Sequence, residues 1–132
     1  MKSKGILPLP TYPKGRGEKK RQLLVSLNNF FPMHFIAKNN TKSAYSDVAR
    51  EWVKTLPKYK TIQPHYRLYF NTRHKRDLDN YTFPMHKFLM DVLVNEGIIE
   101  DDSYAYVTKI TTEFGGLGED NCVVIEITGE EV

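Results

Sequence analysis

The chain has 132 residues, 40% of them hydrophobic, and a formal net charge of +3. That length suits one domain, the apolar fraction supports a core, and no apolar run approaches the roughly 20 residues of a membrane-spanning helix. A single cysteine excludes an internal disulfide and no Cys/His spacing suggests zinc; with no apolar signal core near the start, a reducing, cytoplasmic setting is expected.

The charge is unevenly spread. Residues 1–21 hold seven Lys/Arg against one Glu, whereas the remainder holds twelve against fifteen Asp/Glu, and the change of sign falls at Arg76-Asp77. A phosphate-binding surface meeting a metal-bearing one produces that asymmetry.

In chain order, residues 1–21 mix lysines with Gly5, Pro8, Pro10, Pro13, Gly15 and Gly17, which predicts a flexible basic arm, either a solubilising tail or a polyanion contact. The domain proper is then 22–132. Gln22–Leu27 reads as a short strand. Asn28–Phe35 reads as an aromatic-rich loop, either core or a surface for stacking on bases. Residues 39–43 predict a turn into a helix over 43–56, with Tyr45, Val48, Ala49, Trp52, Val53 and Leu56 as its buried stripe. Lys42, Arg50 and Lys54 lie elsewhere on that cylinder, facing solvent or DNA. After Pro57, residues 61–71 alternate as a strand with Tyr66, Leu68 and Phe70 on one face and His65, Arg67 and Tyr69 on the other.

A second helix is expected over 80–96, regular only from about Thr82 because of Pro84, with Phe88, Leu89, Val92 and Leu93 inward and Gly97 as its stop. Lys87 and Asp91 suit a surface ion pair. Residues 104–114 alternate as a long strand, 115–121 read as a hairpin loop, and 122–128 as the last strand, with Cys122 a buried small hydrophobe. The fold class is α+β: a single domain with a mixed sheet of about four strands and two main helices, in the order β-α-β-α-β-β.

The functional signal is Arg73-His74-Lys75-Arg76-Asp77-Leu78-Asp79-Asn80, followed after one helix by Glu100-Asp101-Asp102. If 77–79 are extended, Asp77 and Asp79 point to the same side, where two carboxylates repel unless a hard cation such as Mg²⁺ neutralises them. Arg73, Lys75 and Arg76 beside them suit a phosphodiester backbone. A plainer reading of the same residues is that Asp79 or Asn80 caps the helix and Asp77 pairs with Arg76 or Lys75.

Asp77-x-Asp79-Asn80, then Lys87, Asp91, Leu93 and Gly97, then Asp101-Asp102, resembles the RusA family of Holliday-junction resolvases over roughly residues 22–128. The resemblance implies a homodimeric, magnesium-dependent endodeoxyribonuclease, with Mn²⁺ as a substitute ion, that nicks four-way DNA junctions in recombination and repair; such enzymes are often carried by prophages. It implies Asp77, Asp79 and Asp102 as metal ligands, Lys87 as a catalytic lysine, and no organic cofactor or membrane partner. The gap from Asn80 to Lys87 is one helical turn longer than in the family pattern, which makes His86 and Lys75 reserve candidates for the lysine's role. The aromatics around Phe30–Phe35 are one candidate dimer surface. The alternatives are a junction-binding protein without turnover and a nuclease for other branched DNA.

Overall fold

The computed structural model describes residues 2–132; Met1 lies outside the described residues. Its centre is β4 (Tyr59–Phe70), whose Ile62, Pro64, Tyr66, Leu68 and Phe70 are buried while the intervening side chains are partly or fully exposed. Strict alternation of this kind makes a strand with one face on the core. Antiparallel β6 (Cys122–Glu131) lies on one side of it and parallel β5 (Thr111–Leu117) on the other; β1 (Lys2–Pro8) completes the sheet in the order β1-β6-β4-β5. Val123, Ile125 and Ile127 of β6 are fully buried on the same face as the β4 core residues.

Two long helices cover that face. In α2 (Phe35–Val53) the buried positions are Thr41, Tyr45, Ala49 and Val53, a row at fourfold spacing. In α3 (Leu78–Asn95) nine residues are buried, among them the expected Phe88, Leu89, Val92 and Leu93. The short α1 (Leu27–Phe30) sets Phe30 edge-on against Phe88, with ring centroids 5.2 Å apart. A separate hairpin of β2 (Thr11–Lys14) and β3 (Arg21–Leu24) lies outside the main sheet. The result is one α+β domain with a four-stranded mixed sheet, as the sequence pattern predicts. Among the described residues no helix is long and apolar enough to cross a membrane.

Several boundaries differ from expectation. Residues 2–14, expected in a flexible arm, form β1 and β2. The inward-facing positions of β1 are Ser3, Gly5 and Leu7, so its alternation carries almost no hydrophobic signal. Gly5 lies directly beneath the Trp52 indole, which leaves no room for a Cβ, and the indole Nε1 donates to the Lys4 carbonyl at 3.3 Å. The turn expected at 39–43 is helix. The Thr41 hydroxyl donates to the Ala37 carbonyl at 2.8 Å, so a polar residue occupies the buried row at no hydrogen-bonding loss. Val48 is exposed rather than part of the stripe. α3 begins at Leu78 and carries Pro84 within it.

The expected long strand over 104–114 is broken. Ile62 bonds to Tyr106 and Thr108 across a single parallel bridge to Val107, and regular pairing resumes only at His65–Thr111. The next donor β4 should offer on that side is the amide of residue 64, a proline without an N–H, so the ladder is interrupted there. β5 then runs through the glycines expected to form a hairpin loop. Gly116 takes a positive φ of 136° at the bulge, and Gly115 lies under the Tyr69 ring. β5 and β6 are therefore not a hairpin: they flank β4 on opposite sides. Cys122, at the start of β6, is half-buried rather than fully buried.

Candidate nucleic-acid and metal site

β4 delivers the chain to an exposed loop, residues 71–77, and α3 starts straight after it. Leu78 is the first helical residue and packs half-buried against the core, which fixes how the acids on either side are presented. Residues 77–79 are not one extended segment: Asp77 alone is extended, with φ −80° and ψ 122°, while Asp79 sits in the first helical turn. The same-side argument from alternation therefore does not apply. The two acids instead stand two residues apart at the helix start, Asp77 just before the first turn and Asp79 within it.

Asp77 occupies the capping position yet makes no side-chain cap bond. The ion pairs among the described residues lie on other elements. The plainer reading, a cap or a local ion pair, is thus not what these carboxylates do. Both are exposed at the positive end of the α3 dipole, where negative charge is favoured.

The three cations differ. Arg73 and Lys75 are exposed. Arg76 turns back on its own loop: its guanidinium donates to the Thr72 hydroxyl at 2.8 Å and the His74 carbonyl at 3.1 Å, and lies 4.6 Å from the Phe70 ring centroid. Arg76 therefore braces the loop that presents the other two.

The remaining candidates stand elsewhere. Asp102 follows the turn after α3 and shares a groove with Lys42, Asp91 and Asn95, alongside the last turns of that helix. Asp91 is twelve residues past Asp79, about 18 Å along the axis. Lys87 is exposed eight residues past Asp79, about 12 Å along the axis; the ion pairs among the described residues do not include one between Lys87 and Asp91. Among the described residues, no three His, Cys, Asp or Glu side chains gather as a group able to hold a metal ion. Asp77 and Asp79 lie at the start of α3, and Asp102 lies alongside its last turns, within electrostatic reach of His86.

His86, a reserve candidate for the lysine's role, is only 8% exposed, and its Nδ1 is 2.6 Å from the Tyr66 hydroxyl. Burial, then the neighbouring Lys87 charge, lowers its pKa to about 4 against a smaller opposing pull from Asp102. A neutral, buried imidazole bonded to a core tyrosine is a packing group, out of reach of a phosphodiester. Lys75, the other reserve, stays exposed beside the acids.

Sequence reasoning missed the apolar floor beside the loop. Phe114 and Leu117 of β5 are 55% and 53% exposed, and Phe114 stacks parallel to Phe70 with centroids 6.4 Å apart. The pairing of β5 with β4, which brings Phe114 there, has no local sequence signal.

The donor chemistry at the helix start fits a hard cation. Magnesium is commonly held by one or two carboxylates and completes its shell with water and substrate phosphate. Asp77 and Asp79 supply uncommitted carboxylates of that kind; Asp102 does not join them. No protein-family model matches this chain, and no curated protein sequence matches it.

Proposed function

We propose that this protein is a magnesium-dependent endodeoxyribonuclease acting on branched DNA, the four-way junction first among substrates, and that it works as a two-fold dimer. One observation carries the reading: two exposed carboxylates with no side-chain cap bond and no ion pair among the described residues stand at the start of α3, following exposed cations at the end of the central strand. Helix amides, Arg73 and Lys75 would hold backbone phosphates there, which positions DNA without reading its sequence. Asp77 and Asp79 would hold the ion, and Asp102 is the third ligand implied by the resemblance to the RusA family. When bound, magnesium supplies polarisation of the phosphodiester and a more acidic water. The chain's own contribution is to fix phosphate and acids on one rigid helix end, with Arg76 holding the loop in shape. Two nicks across one junction need two sites, hence the dimer. The exposed Phe31, Phe35 and Ile36 suit its interface.

The separation of Asp102 from the other two acids favours a second reading, a junction-binding protein without turnover. Purified protein incubated with a labelled synthetic four-way junction, in magnesium and in EDTA, separates the two. Magnesium-dependent nicking supports the nuclease; a retarded but intact junction supports the binder. Equal cleavage of linear duplex would remove the preference for branches.

A further inference from the structure

The loop and β5 enclose a recess of about 580 Å³, within the range typical of small-molecule sites. Its floor is Phe70, Leu78, Phe114 and Leu117; its rim is the basic run Arg73–Arg76. Phe70 is buried and braced by Arg76, so the floor is rigid, and Phe114 offers an open ring parallel to it. Aromatic surface rimmed by cations has two chemical complements. One is another apolar protein surface, such as a second copy of this chain along the β5 edge. The other is a flat heterocycle carrying phosphate. Two copies meeting here would oppose like-charged rims, which disfavours the first. An unpaired nucleotide satisfies both halves of the site at once.

We propose that this recess takes one unpaired nucleotide, its base stacked on Phe114 and its phosphate held by Arg73 and Lys75. The inference rests on the reading of this end of the molecule as a DNA-binding site and adds to it a preference for exposed bases. Branched DNA offers such bases where strands exchange, so the recess favours branch points over paired duplex. Arg76 and Leu78, the residues on either side of Asp77, line the recess, so a phosphate held at its rim would lie near the start of α3.

The test uses the full chain and two labelled probes of equal length and charge, an oligothymidylate and an abasic phosphodiester oligomer, compared by fluorescence anisotropy at low salt. The oligothymidylate should bind roughly tenfold tighter. Phe114→Ala should erase that preference and leave abasic binding and its salt dependence unchanged, while Phe114→Tyr, which keeps a ring, should retain it. Equal binding of the two probes by the wild type overturns the recess assignment but leaves the DNA reading standing. Failure of both probes to bind overturns both. Self-association that disappears in Phe114→Ala, with no base preference in the wild type, assigns the recess to a second copy and overturns the proposal.

Discussion

Acidification from pH 7 to pH 5 should weaken this fold through one side chain, His86. Its imidazole is buried beneath α3, bonded to the Tyr66 hydroxyl, with its pKa lowered from 6.5 to about 4 chiefly by burial. Because the folded value lies below the unfolded one, the unfolded chain takes up the proton first as pH falls. The stabilisation is complete above pH 6.5 and is lost as pH falls toward 4. The full difference amounts to roughly 3 kcal/mol, of which about 2 kcal/mol should be gone by pH 5. For a chain this size that lowers Tm by roughly 6–10 °C. The window is chosen to spare the carboxylates. Glu113, held low by hydrogen bonds from Arg67 and His65, and Glu126, held low by Lys2, keep their stabilisation above the ordinary carboxylate range and lose it only as pH falls through and below that range. Urea unfolding at pH 7, 6 and 5 gives the slope for the wild type and for His86→Asn, which keeps a polar atom opposite Tyr66 but does not titrate. The variant should be less stable at pH 7 and nearly flat across the window. An equal slope in both proteins would refute the assignment of the proton to His86.

Three further outcomes follow from the geometry. Gly5→Val should cost about 1–3 kcal/mol in urea unfolding, because the new side chain meets the Trp52 indole; an unchanged midpoint would mean that β1 does not pack there. The double change of Arg73 and Lys75 to Ala should weaken DNA binding and reduce the slope of log K against log salt by about two, one for each phosphate left without its cation; an unaltered slope would remove them from the interface. Arg76→Ala should instead leave that slope nearly intact and lower the NMR backbone order parameters of residues 72–77, since its guanidinium braces the loop; a flattened slope with unchanged order parameters would reverse the roles given to the cations.

The parts of the fold legible in the sequence are those where burial and period coincide. β4 alternates without a lapse from Ile62 to Phe70, α3 repeats large apolar residues along one face, and Gly97 closes that helix with a φ of 75°. What could not be read has identifiable causes. The inward side of β1 is Ser3, Gly5 and Leu7, a pattern indistinguishable from a polar arm. The row of α2 begins at a threonine whose polarity is absorbed by its own helix. β5 is split from its approach by the missing amide of Pro64, and its parallel pairing depends on a partner more than forty residues away. At the site, the acid pair and its cations were visible as a local string. The bracing role of Arg76 was not, because it depends on how the loop folds back on Thr72, His74 and Phe70, and the aromatic floor was not, because it depends on Phe70 and Phe114 meeting across strands. The position of Asp102 along the flank of α3, away from Asp77 and Asp79, likewise depends on where the chain turns after Gly97.

The central claim is that the acids at the start of α3 cut DNA with a divalent ion. The most direct measurement is cleavage of a labelled four-way junction in magnesium by the wild type and by Asp79→Asn, with binding followed in parallel. The wild type should release nicked products that EDTA abolishes, and Asp79→Asn should bind the junction as tightly while producing none. Cleavage by Asp79→Asn at the wild-type rate, or a wild type that holds the junction in magnesium without cutting it, would contradict the claim.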